Sequence, residues 1–170
     1  AAVRAQRYPG RLRLFVAVAP SDDETAAVAA ALAAEADVTV VDNPAGLTPC
    51  GLNAAIRAGA APVIVRVDGH SELNQGYIER AVTTMRATAA VNVGGRQVPV
   101  ATTDFERAVA TATTSWLGTG GATYRVGGDP GPVDTVYLGV FDRAAIESVG
   151  LFDEWLVRNQ DYELNIRLRR

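Results

Sequence analysis

An α/β fold with a mostly parallel central sheet flanked by helices is predicted by three observations. Three β-α units follow one another between Leu12 and Ala89. Their strands are continuous apolar runs without polar alternation, the pattern of strands buried on both faces. The chain has 170 residues, enough for one domain with a real core.

Element by element, Ala1–Arg7 reads as the tail of a helix closed by Tyr8-Pro9-Gly10. Leu12–Val18 is a short apolar run and a buried strand. Ser21 with Glu24 three residues on has the spacing of a capping box, which opens a helix running through the alanines to about Glu35. Val38–Val41 is the second strand, and Asn43-Pro44-Ala45-Gly46 breaks the chain. Thr48–Ala58 is the second helix, with Thr48 as cap and Pro49 at its first position; Leu52, Ala55, Ile56 and Gly59 share a face. Pro62–Val67 is the third strand. Asn74–Ala89 is an amphipathic helix, Ala90–Val100 is extended, and Asp104–Ser115 is helical. Leu117–Pro132 is a Gly-rich loop, Val133–Phe141 a strand, and two short helices close the chain. No internal repeat or linker divides it, so residues 1–170 read as one domain. The chain opens inside a helix and stops in one at Arg167–Arg170, so it reads as truncated at both ends. An apolar gap is expected beside Leu12–Val18, where an earlier strand would pair.

Composition excludes several classes. The net charge of −3 does not point to nucleic acid. All 16 basic residues are arginine. No apolar run approaches the roughly 20 residues of a membrane-spanning helix, and Ala1–Gly10 has no signal-peptide character. One cysteine rules out an internal disulfide and fits a reducing compartment. One Cys and one His cannot build a closed zinc site.

Chemistry-bearing residues gather in three places. Val63-Ile64-Val65-Arg66-Val67-Asp68-Gly69-His70 ends a buried strand on an acid, a glycine and the sole histidine. Ligands of open parallel sheets bind at the carboxyl ends of strands. Asp68 and His70 can reach one ion if the chain turns at Gly69, and an oxygen with a nitrogen suits Mn²⁺ or Mg²⁺ held with a diphosphate. The other open reading makes Asp68 a turn cap and His70 a surface residue. In Arg158–Arg167, Asp161 at a helix start is either a partner of the helix dipole or a general base. Glu163 and Arg167, four apart, have the spacing of a helix ion pair. The loop Leu117–Arg125 lacks both the P-loop lysine and the dinucleotide fingerprint; it reads as a mobile substrate loop or as a plain surface loop. Cys50 has no histidine base nearby in sequence and is not read as a nucleophile.

These pieces occur in a recognisable order. Gln6–Gly10, Pro20–Thr25, Asn43-Pro44 through Leu52–Ile56, and Arg66–Ser71 are followed by Val93–Gly95, Val133–Val136, Val149–Glu154 and Arg158–Asn165. In order and spacing the chain resembles family 2 glycosyltransferases, within them the bacterial succinoglycan-type glucosyltransferase branch. The resemblance implies a GT-A fold, a nucleotide-sugar donor, a glycan or lipid-linked acceptor and an inverting transfer. It places Asp68 and His70 at the family's Asp-X-Asp motif, with His70 in place of the second carboxylate, and Asp161 at the catalytic base. Asp68, Arg66 and Asn43 are the expected donor contacts, Asp68 and His70 the expected ligands of Mn²⁺ or Mg²⁺. Val18 and Ala19 stand where many relatives carry acids that hold the nucleotide. The implied location is cytoplasmic, at the inner face of the plasma membrane, with any membrane association made through segments outside this chain. Competing readings are a nucleotidyltransferase, whose Gly-rich basic signature is missing here, a non-catalytic nucleotide-sugar-binding or scaffolding domain of the same descent, and a plain doubly wound domain.

Overall fold

The computed structural model describes residues 3–115 and 123–170. Five strands and seven helices alternate along them. Strand β1 (Leu14–Val18), helix α1 (Thr25–Ala33), β2 (Val38–Asp42), α2 (Thr48–Ala58) and β3 (Val63–Val65) form the expected β-α succession. After them come α3 (Tyr77–Thr88), β4 (Asn92–Gly95), α4 (Asp104–Thr114), the short α5 (Thr123–Val126) and β5 (Tyr137–Asp142). Helices α6 (Arg143–Ser148) and α7 (Gln160–Leu168) complete the order.

β1 and β2 pair in parallel, Leu14 beside Val38 and Val18 beside Asp42. The other three strands form a second ladder in the order β3-β5-β4. Here the expectation of a mostly parallel sheet needs correcting in detail. β5 runs antiparallel to both neighbours, so β3 and β4 share one direction with a reversed strand between them. A parallel neighbour requires a crossover, whereas β5 arrives from the long α4–α5 excursion and enters from the opposite end. β1 and β3 each keep one edge without a ladder partner among the described residues, and all five residues of β1 are only half-buried.

Side-chain alternation puts β3 and β5 in contact with two cores. On one face Ile64 and Phe141 join Ile56, Ile146, Leu151, Phe152 and Leu164. On the other Val63, Val65 and Val140 meet Ile78, Ala81, Val82 and Met85 of α3. The period of two therefore buries this sheet on both sides. Phe141 and Phe152 pack edge to face, centroids 6.1 Å apart, a contact of about 0.5–1.5 kcal/mol beyond burial. Gly51 lets α2 lie close on the first sheet: a Cβ there would stand 2.8 Å from the Asn43 amide nitrogen and 3.2 Å from the Ala17 methyl.

Several local expectations shift. Residues 3–5 form a turn, with Gln6 N–H donating to Val3 O, and not a helix tail. The Ser21/Glu24 capping box does not form. The Asp23 carboxylate instead accepts from Ser21 Oγ at 2.6 Å and from Thr25 N–H at 2.9 Å. The Ser21 hydroxyl leads the contacts that hold its carboxyl down at about 2. An aspartate two residues nearer the helix outcompetes a serine that must reach further. The capping box that does form is Thr103 with Glu106, opening α4. Thr48 is the first helical residue and not the cap, which falls on Leu47. Within the expected Gly-rich loop, Thr123–Val126 is a helical turn; residues 117–122 lie outside the described residues.

Candidate active site

Asp68, Arg66 and Asp161 meet at the end of β3. Arg66 continues β3 by donating its backbone N–H to Gly139 O of β5 at 3.0 Å. Its guanidinium lies 5.9 Å from the centroid of the Phe152 ring. One edge of that guanidinium serves Asp68, Nε to Oδ1 at 3.0 Å and Nη2 to Oδ2 at 3.5 Å. Nη1 on the other side donates to Asp161 Oδ1. The Arg66 side chain is only 9% exposed, against 23% for Asp68 and 38% for Asp161. Burial alone would push the guanidinium down, but the charges of Asp161 and Asp68 outweigh it and raise its pKa.

Asp161 is carried by the first turn of α7, where a carboxylate also favours the positive end of the helix dipole. Asn159, at φ 60°, swings the chain into that helix. Asn165 Nδ2 reaches back to Asp161 O at 2.8 Å and to Thr135 Oγ1 at 3.2 Å, and Asn165 Oδ1 accepts from Asn92 Nδ2 at 2.7 Å. The base candidate thus sits on a helix tied to β4 and to the segment before β5. Glu163 turns away and pairs with Arg167 at 2.6 Å, the ion pair its spacing predicts. Arg167 also donates to Val149 O and to Leu151 O. Two positively twisted residues border the site, Leu138 at φ 48° and Leu151 at φ 66°. Such backbone costs about 1–3 kcal/mol each and gathers at functional sites.

His70 lies in the turn closed by Ser71 N–H donating to Asp68 O at 2.9 Å. It is exposed and makes no hydrogen bond or ion pair among the described residues. Ser71 Oγ and Tyr137 OH, 2.9 Å apart, anchor the same turn to β5. Asn43 follows β2 and is 7% exposed. Its amide nitrogen donates to Leu47 O at 3.0 Å, bracing the turn into α2, while its Oδ1 is buried without a protein partner. Cys50 is half-buried beside Glu154; burial first, then the Glu154 charge, push its thiol up, which opposes nucleophilic use.

One participant was not named from the sequence as a site residue, and another was named in a narrower role. Asn53, 1% exposed, clamps α2 to the segment that carries Phe152. Its Nδ2 donates to Phe152 O at 2.8 Å and to Glu154 Oε1 at 2.9 Å, and its Oδ1 accepts from Phe152 N–H at 3.0 Å. Arg66 was named as a donor contact, but not as the link between the two carboxylates. A charge inside an apolar strand run needs partners, and that was the available signal. A cleft of about 500 Å3 lies behind this segment, lined by Arg57, Glu154, Trp155, Glu163 and Arg167 among others, and none of Arg66, Asp68 or Asp161 lines it. Four of its charges are already closed on one another, Arg57 on Glu154 at 3.3 Å and Arg167 on Glu163, so Asp68 and Asp161 are the better chemical candidates.

Among the described residues no three His, Cys, Asp or Glu side chains converge as a metal cage. Asp68 and His70 offer one carboxylate and one imidazole. That donor set fits a hard divalent cation only if further oxygens come from a bound diphosphate.

An α/β scaffold agrees with the comparison of the chain with known families. Residues 1–150 match Glycosyl transferase family 2, and the chain belongs to that family. It is similar to the succinoglycan biosynthesis protein ExoA of Rhizobium meliloti (strain 1021), 30% identical over 169 residues. The alignment covers 98% of this chain and 51% of that protein, so the chain spans about half the length of this relative. Asp161 lies beyond the family match but within the span of that alignment. No described helix is long and apolar enough to cross a membrane.

Proposed function

We propose that this chain transfers a sugar from a nucleotide-sugar donor to a hydroxyl of a glycan or lipid-linked acceptor, with inversion at the anomeric carbon. The observation that carries this reading is the meeting of Asp68 and Asp161 on Arg66, which brings a strand-end acid and a helix-start acid onto one guanidinium. Asp161, more exposed than Asp68, is the general base. Its carboxylate takes the proton from the acceptor hydroxyl as that oxygen bonds to the anomeric carbon and the bond to the diphosphate breaks on the opposite side. Asp68 with His70 would hold Mn²⁺ or Mg²⁺ together with the diphosphate. When bound, that cation supplies charge neutralisation for the leaving nucleoside diphosphate. Asn43 braces the turn at the end of β2 on the donor side, its buried Oδ1 left for a donor group or a water. Phe152 and the Asn165 contacts keep Arg66 and Asp161 in place.

The similarity to a succinoglycan biosynthesis protein supports a role in bacterial polysaccharide synthesis. We place the reaction in the cytoplasm at the inner face of the membrane, in keeping with a chain that has a single, unpaired cysteine.

The test uses two variants. Asp161→Asn should lower turnover by about 10²–10⁴-fold, the usual effect of losing a general base, and leave donor binding nearly unchanged. Asp68→Ala should abolish Mn²⁺-dependent nucleotide binding measured by calorimetry. Near-normal turnover in Asp161→Asn, with loss in Glu163→Gln, would move the base to Glu163 and refute the assignment.

A further inference from the structure

We infer that Arg66 holds the cation position at Asp68 until a nucleoside diphosphate arrives, so that the site takes a divalent cation and a diphosphate together and the cation alone only weakly. This inference rests on the reading of Asp68 as the donor-site acid.

Both Asp68 oxygens already face one guanidinium, at 3.0 and 3.5 Å. A cation binding alone must take Asp68 from that edge. Water compensates that edge less well than an anion does, because the Arg66 side chain is 9% exposed and its backbone is bonded to β5. Stripping a buried arginine of one carboxylate leaves a desolvated N–H edge unpaired, which is costly. A diphosphate changes the balance. Its anionic oxygens match the planar fork of an arginine and can replace Asp68 on the vacated edge. Asp68 is then free to turn to the cation, while Asp161 remains on Nη1. No third His, Cys, Asp or Glu joins Asp68 and His70 among the described residues, so the same diphosphate also completes the coordination. Arg66 is in this sense a positioning residue: it ties loading of the donor half of the site to the orientation of the base.

The experiment measures Mn²⁺ affinity by electron paramagnetic resonance, with and without UDP as probe, in the wild-type protein and in Arg66→Gln, Arg66→Lys and Asp68→Asn. In the wild type, UDP should tighten Mn²⁺ binding by about tenfold or more, since the competing ion pair is then satisfied elsewhere. Arg66→Gln should bind Mn²⁺ alone about tenfold tighter than wild type and show a correspondingly smaller UDP effect, the remainder being the coordination that the diphosphate itself completes. Arg66→Lys keeps the buried charge but is a point charge that cannot bridge two carboxylates; it should show the same change in smaller measure, so the test stands even if Arg66→Gln folds poorly. Unchanged or weaker Mn²⁺ binding in both Arg66 variants, or a wild type indifferent to UDP, overturns the inference. Asp68→Asn separates the two levels. If it abolishes Mn²⁺ binding while the Arg66 variants change nothing, the donor site stands and the coupling falls. If it leaves Mn²⁺ binding intact, the donor-site reading itself falls, and the coupling with it.

Discussion

Replacing Asn53 by alanine should destabilise the protein more than most single changes and also reduce activity. The amide is 1% exposed and satisfies both backbone groups of Phe152, which is itself 3% exposed. Its oxygen takes the Phe152 N–H at 3.0 Å and its nitrogen donates to the Phe152 carbonyl at 2.8 Å. Alanine would leave one buried donor and one buried acceptor unpaired. At about 1–3 kcal/mol for each such group, the loss comes to about 2–6 kcal/mol, a large part of the usual 5–15 kcal/mol of a folded domain. For a chain of this size about 4 kcal/mol corresponds to a drop of about 10 °C in Tm. The effect reaches the site because Phe152 underlies Arg66. Urea unfolding followed by circular dichroism gives the stability, and a transfer assay well below the new Tm gives the rate. Asn53→Asp is the informative companion: it keeps the acceptor but sets a carboxylate against Glu154, which the Asn53 amide now holds at 2.9 Å. It should not rescue the loss. A change below about 1 kcal/mol for Asn53→Ala would show that water replaces the amide and that the clamp is not a structural element.

Other consequences concern charge. Glu106 accepts from Thr102 Oγ1 at 2.6 Å and from the Thr102 and Thr103 amides, and these bonds hold its carboxyl down at about 2. A depressed folded pKa stabilises above the unfolded value and is lost as pH falls through the folded one. The cap of α4 should therefore weaken between about pH 4.5 and pH 2, and Glu106→Gln should remove that dependence from the amide exchange of Glu106 and Arg107. Cys50, whose thiol is raised by burial and then by Glu154, should react with iodoacetamide more slowly than a free thiol at pH 7.5. Glu154→Gln should speed the reaction, and an unchanged rate would assign the shift to burial alone. Tyr77 OH donates to Leu138 O at 2.6 Å, and burial lifts its phenol to about 12. Tyr77→Phe should cost about 1–3 kcal/mol in urea unfolding, because it strips the carbonyl of a residue already held at positive φ.

Much of this architecture was legible along the chain. The runs Leu12–Val18, Val38–Val41 and Pro62–Val67 each became a strand within a few residues of the expected ends. Helix α2 spans the predicted Thr48–Ala58, because Pro49 and Gly59 punctuate it locally. Local reading failed where two caps competed: Ser21 and Glu24 had the spacing of a box, but Asp23 lay closer to the first free amide. It also failed for the direction of β5. An apolar run has no arrow, and a strand buried on both faces reads alike in either sense.

Asp68, His70 and Asp161 drew attention through their places after a strand and at a helix start, and Arg66 and Asn43 through the resemblance to family 2 glycosyltransferases. The Glu163–Arg167 pair was readable along the chain, since four residues of helix settle which side chains are neighbours. Only the tertiary structure decided that Arg66 and Asp161, 95 residues apart, share an ion pair, and that Asn53 closes on Phe152 across 99 residues. Periodicity and capping are fixed by interactions within a turn or two of chain. The meeting of β3 with the start of α7 depends on how β5, α2 and α7 bury Phe141, Phe152, Ile56 and Leu164 against one another, and no local pattern carries that packing.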